Sequence, residues 1–148
     1  MKIVLDTNVL VSGLLTPYGS SGEIVRLVSA GVLIVQYDAR IILEYQDVLY
    51  RPKFQFDIQN IETLLTYIKQ NGQVISAGPL KRRLPDPDDE PFLEIAIAGR
   101  AACLITGNKK HFPKESRQRI KIFSPSEFVD FYRKYNEATE QTHSPGRS

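Results

Sequence analysis

Met1-Lys2-Ile3-Val4-Leu5-Asp6-Thr7-Asn8 opens the chain. Ile3, Val4 and Leu5 form a continuous apolar run, the pattern of a strand buried on both faces of a parallel sheet. The run ends on a carboxylate followed by two hydrogen-bonding side chains, and a charge in such a place is costly unless something uses it. In open α/β sheets, ligands and catalytic groups collect in the crevice outside the carboxyl ends of the strands. Asp6 is therefore the first candidate site residue.

The chain has 148 residues, which fits one domain able to bury roughly two thirds of the surface exposed by its unfolded form. Its single cysteine, Cys103, lies in the apolar run Ala101-Ala102-Cys103-Leu104-Ile105 and reads as a small buried hydrophobe. One cysteine excludes a disulfide framework within the chain and a zinc site of the Cys type. There is neither a secretory signal nor an apolar run long enough to span a bilayer, so a soluble, cytoplasmic protein is expected, with no membrane partner. The net charge of +2 permits nucleic-acid binding without requiring it.

Strands and helices alternate along the sequence. Beyond the segment Val9 to Leu15, a Gly, Pro and Ser-rich loop leads to Ser20 or Ser21 as cap of a helix over Glu23 to Ala30, with Gly31 as its stop. Val32 to Val35 reads as a second buried strand, and Asp38 as the cap of a helix from Ala39 to Tyr50. In that helix Ile41, Ile42, Tyr45, Val48 and Leu49 share one face. Asp57 to Asn71 repeats the helical period and Gly72 stops it, before a short strand or linker at Gln73 to Ser76. The cluster Asp86-Pro87-Asp88-Asp89-Glu90-Pro91 precedes a helix over Phe92 to Gly99. Strands follow at Ala102 to Thr106 and Ile120 to Phe123, and Ser124-Pro125-Ser126-Glu127 has the form of a capping box. Residues 136–148 are polar and aperiodic and are expected to form a disordered tail behind a domain of residues 1–135. The alternation predicts a three-layer α/β fold with a mainly parallel sheet of four or five strands.

Three acidic positions have a suggestive placement: Asp6 at a strand end, Glu44 beside the apolar face of its helix, and the Asp86, Asp88, Asp89 cluster at a helix mouth. Carboxylates gathered from separate elements repel one another, so their convergence implies a hard cation such as Mg2+ or Mn2+ between them. Each also has a plainer reading. Glu44 suits a helix rim, and acids ahead of a helix often only cap it and complement its dipole. Asn108 follows Leu104-Ile105-Thr106-Gly107 and lies past another strand end, where it is a metal or water ligand through its amide or simply part of a turn. Lys109, Lys110 and His111 come next and are either phosphate contacts or a solvated turn. Neither His111 nor His143 has a partner that suggests a nucleophilic triad.

These residues resemble the PIN-domain nucleases. The resemblance rests on Leu5-Asp6-Thr7-Asn8, on Ile42-Leu43-Glu44-Tyr45, on Asp89 before Phe92-Leu93-Glu94-Ile95-Ala96, and on Leu104-Ile105-Thr106-Gly107-Asn108. It extends over about residues 1 to 132. Within the family the chain looks most like toxin components of prokaryotic toxin-antitoxin pairs, through Arg51-Pro52-Lys53-Phe54, Asp86-Pro87-Asp88-Asp89 and Thr106-Gly107-Asn108-Lys109-Lys110-His111-Phe112. The resemblance implies an endoribonuclease dependent on Mg2+ or Mn2+, with Asp6, Glu44 and Asp89 as catalytic metal ligands and Asp88 as the competing third position. It implies supporting roles for Thr7, Asn8, Thr106 and Asn108, and contacts to substrate phosphate from Lys109 and Lys110. It further implies an RNA substrate, a cognate antitoxin protein and a homodimer. Many family members carry a fourth acid where this chain has Asn108, which favours one cation over two. The alternative is a PIN-like module of weak or absent activity that binds RNA or protein.

Overall fold

The structure is a computed structural model and describes residues 1–143. Five strands, β1 (Lys2–Leu5), β2 (Ile34–Tyr37), β3 (Gln73–Val74), β4 (Cys103–Ile105) and β5 (Ile122–Phe123), form one sheet in the order β3-β2-β1-β4-β5. Every pairing is parallel. The strand at the start of the chain is thus the middle of the sheet, and Ile3, Val4 and Leu5 are wholly buried, as their unbroken apolar run predicts.

Among the described residues six α-helices flank the sheet: α1 (Thr7–Leu15), α2 (Ser20–Ser29), α3 (Ala39–Leu49), α4 (Ile58–Asn71), α5 (Glu90–Ala98) and α6 (Pro125–His143). From β1 the chain steps outward to β2 and β3, then returns across the sheet to β4 and steps outward the other way to β5. Helix α5 packs on β1, β2 and β4 and against α3, through the Tyr45 and Phe92 rings, whose centroids are 6.5 Å apart, and the Arg40–Glu94 ion pair at 2.7 Å. The reversal falls between β1 and β4, and it opens a crevice at their carboxyl ends. Register pairs Leu5 with Ile105, so the next residues, Asp6 and Thr106, stand side by side at that crevice.

Several boundaries differ from expectation, each for a local reason. The second strand begins at Ile34 instead of Val32 because Gly31 adopts a left-handed φ of 78° and the amides of Val32 and Leu33 both turn back to the Leu27 carbonyl. The strand then takes in Gln36, which is fully buried, its amide donating to Gln73 Oε1 at 2.9 Å and to the Gly99 carbonyl at 2.8 Å. Gly19 caps α2, leaving Ser20 as its first residue. The capping box at Ser124 is formed as expected, with the Glu127 amide on Ser124 Oγ at 3.2 Å and the Ser124 amide on Glu127 Oε1 at 2.9 Å. Helix α6 runs on to His143, through residues expected to be an unstructured tail. Ala138, Glu137 and Glu140 are good helix formers there, and the side chains of residues 133–140 are mostly exposed. The rest of the expected tail, 144–148, lies outside the described residues.

Candidate active site

Asp6 follows β1 directly, still with extended backbone, and is the N-cap residue of α1, which starts at Thr7. Its side chain is 6 % exposed and accepts a hydrogen bond from Thr106 Oγ1 at 2.7 Å. Burial pushes the Asp6 carboxyl pKa up, while the Thr106 hydroxyl and the amides of Asn8 and Thr7 draw it back. Thr106 is itself fully buried, and its Oγ1 also accepts from the Asn108 amide at 3.0 Å.

Glu44 reaches the crevice from α3. That helix is capped by Asp38, which accepts from the Ile41 amide at 3.1 Å, and it buries Ile41, Ile42, Tyr45 and Leu49. Tyr45 donates its hydroxyl to the Leu5 carbonyl at 2.6 Å, fastening α3 to the residue before Asp6. This attachment brings the neighbouring Glu44 against Thr7, whose hydroxyl donates to Glu44 Oε2. The Glu44 pKa is raised, chiefly by burial, and further by the negative charges of Asp6 and Asp88.

Asp89 closes a 3-10 turn, Pro87–Asp89, that leads into α5. Asp86 is the cap of that turn, accepting from the Asp88 amide at 2.9 Å. The capping role expected somewhere in the acidic cluster thus belongs to Asp86, and Asp89 is left to face the crevice. Its pKa is pushed up to about 6 by burial, by Asp6 and by Asp86, against the opposing influence of His111. Asp88 is exposed on the same turn. Asp6 is the common neighbour, since its charge acts on both Glu44 and Asp89.

The other positions singled out from the sequence divide. Thr7 and Thr106 contact the acids. Asn8 and Asn108 are exposed and approach Asp6 and Thr106 through their backbone amides. Lys109 is engaged by Glu127 at 2.9 Å, and Lys110 is exposed. His111 had no visible partner in the sequence, yet its Nδ1 lies 3.0 Å from Asp89 Oδ2. The signal for this contact is the short turn Lys109–His111, which folds the chain back beside the strand end. Arg83 and Glu90 were also missed: Arg83 Nη2 donates to Glu90 Oε1 at 2.9 Å and the Leu84 amide to Glu90 Oε2 at 3.0 Å.

The donors of the crevice are oxygens from carboxylates and hydroxyls, the set preferred by hard cations. Asp89 Oδ2 is buried and makes no well-aligned hydrogen bond among the described residues, which suits an atom awaiting a ligand. Among the described residues no three His, Cys, Asp or Glu side chains are grouped so that they could hold a metal ion by themselves.

The PIN domain family model matches residues 2–110. The chain belongs to the PIN-domain family. An uncharacterized protein of Methanocaldococcus jannaschii is 26 % identical over 146 residues, covering 91 % of this chain and 94 % of that protein. This PIN domain also shares its fold with a chain in the crystal structure of VapBC2 from Rickettsia felis bound to a DNA fragment from its promoter. The TM-score is 0.55 at 17 % identity, over 84 % of this chain and 98 % of the other. The five-stranded parallel α/β architecture is thus that of a PIN domain, and the family as a whole is nuclease-like. Among the described residues no helix is long and apolar enough to cross a membrane.

Proposed function

We propose that the crevice is a metal-dependent endoribonuclease centre that hydrolyses RNA phosphodiester bonds, and that the protein is the toxin of a toxin-antitoxin pair. What supports this reading is the placement of Asp6, Glu44 and Asp89, from three separate elements, at one crevice, with Asp6 held by Thr106, Glu44 by Thr7, and the charge of Asp6 adding to burial in pushing the carboxyl pKa of both others up. A fold keeps such an arrangement when a cation relieves it. Asp6, Glu44 and Asp89 would hold Mg2+ or Mn2+, which supplies an activated water and offsets charge on the phosphoryl oxygens. Thr106 and Thr7 fix the first two carboxylates, each through one oxygen. Asn108 brings no charge to the turn after β4, which favours a single cation. Lys110 is an exposed positive charge for the flanking RNA backbone, whereas Lys109 is committed to Glu127. Family membership supports the nuclease, and the shared fold with a VapBC complex supports an antitoxin partner, a homodimer and a cytoplasmic setting. A second reading, an inactive module that binds RNA or protein, draws on Asn108 and on the open spacing of the acids.

The test is cleavage of a mixed-sequence RNA by purified protein with Mn2+ or Mg2+, repeated in excess chelator and with Asp6→Asn. Cleavage is expected to need the cation and to fall more than about 100-fold in the variant, beyond the loss usual for an outer-shell change. Full activity in Asp6→Asn would sink the assignment, and RNA binding with no cation effect would favour the module.

A further inference from the structure

We infer that His111 is a positioning residue of this centre, the second jaw of a single turn that grips two of its acids. Resting on the nuclease reading above, the inference concerns how Asp89 is held. The turn after β4 starts at Thr106, whose hydroxyl donates to Asp6 Oδ2 at 2.7 Å, and ends at His111, whose Nδ1 lies 3.0 Å from Asp89 Oδ2. The two acids lie 83 positions apart in the sequence, from Asp6 to Asp89, and this turn touches both.

Its geometry is fixed on all sides. The Asn108 amide donates to Thr106 Oγ1 at 3.0 Å, the His111 amide to the Asn108 carbonyl at 3.0 Å, and Lys109 Nζ to Glu127 at 2.9 Å. Phe112, the next residue, is fully buried, and its carbonyl accepts from Arg117 Nε at 2.7 Å. The backbone of His111 is thereby locked between an anchored turn and a core aromatic, while its side chain stays half exposed at 48 %.

Asp89 has few other restraints. Its Oδ2 is buried, and no well-aligned hydrogen bond reaches it among the described residues. The contact that reaches it is His111 Nδ1 at 3.0 Å, within ion-pair range. Carboxylate orientation decides whether a weakly gathered set of acids can share one cation, and displacements near 1 Å are enough to spoil a site. Where Asn108 withholds a fourth charge, the same turn contributes an imidazole that sets the third carboxylate.

The test compares His111→Ala, His111→Asn and His111→Gln with the unaltered protein. Mn2+ affinity is read by electron paramagnetic resonance of the free ion, and kcat and KM are measured on RNA. The Asn amide nitrogen falls near the place of Nδ1 and the Gln amide nitrogen near that of Nε2. His111→Ala and His111→Gln are expected to lose about tenfold or more in Mn2+ affinity and in kcat with KM little changed, the size typical of an outer-shell partner. His111→Asn should retain most of both. Wild-type Mn2+ affinity in His111→Ala, rescue by Gln in place of Asn, or a rise in KM alone overturns the inference and leaves the nuclease reading standing. A wild-type protein that binds Mn2+ without cutting RNA overturns the nuclease reading, and the affinity series still decides the role of His111. A wild-type protein that binds no Mn2+ overturns both.

Discussion

Asp89 and Glu90 are neighbours in the chain, and their surroundings could hardly differ more. Glu90 turns to the Arg83 corner, where a guanidinium and the Leu84 amide hold its carboxyl below the ordinary range. Asp89 turns to the crevice, where burial and two other acids push its pKa up to about 6. Glu90 is satisfied, and its charge ties the loop at residues 83–84 to the start of α5. Asp89 lacks such support, and on the proposed nuclease reading the contrast separates a carboxylate kept for architecture from one kept for the cation.

Exchanging each neighbour for its amide gives the sharpest break in this comparison. Asp89→Asn is expected to reduce Mn2+-dependent RNA cleavage more than about 100-fold, while Glu90→Gln retains kcat. Equal losses in the two variants would erase the distinction.

Stability against pH should separate them next. The folded pKa of Asp89, about 6, lies above its ordinary 3.8, so the native state binds the extra proton between these values. Its contribution to stability is therefore full below about pH 4 and declines as pH rises through 6. The decline is on the order of 1–2 kcal/mol after solvent screening, and the raised Asp6 and Glu44 add in the same direction. Chemical denaturation of metal-free protein from pH 4 to 7 should show this slope, and Asp89→Asn should flatten it. Mn2+ at roughly a hundred times its Kd should add about 2.7 kcal/mol at neutral pH.

Glu90 has the opposite sign and the smallest expected effect. Its pKa is lowered, so its stabilising contribution is present above the ordinary carboxylate range and is lost as pH falls through the folded value. Glu90→Gln should lower Tm modestly at pH 7, and the gap from the unaltered protein should close on acidification. A gap that widens in acid would contradict the Arg83 pairing.

The sequence made the sheet and the first acid legible for the same reason. Ile3 to Leu5 could be satisfied only by burial on both faces, and Asp6 marked where that burial stopped. Helix periods at Ala39 and Asp57 were equally clear, because their caps and apolar faces agree. The start of β2 was misplaced by two residues because the stop of α2 is completed by backbone bonds to Leu27, which composition does not reveal. Gln36 was unreadable as core, since its burial depends on partners at Gln73 and Gly99 far along the chain. His111 was passed over likewise: its partner lies 22 positions upstream, and only the folded turn brings them together.

The central place of β1 has a consequence in time. The strand is made before the other four of its sheet, but the Thr106 hydroxyl that holds Asp6 lies 100 residues further along the chain. At ordinary rates of translation that separation is about 5–20 s of synthesis. During that interval the nascent chain has its first acid and lacks the turn that secures it. The crevice is complete only once the turn from Thr106 to His111 has been made, about three quarters of the way along the 148 residues, so its acids are brought together by the same late step that adds β4 to the sheet.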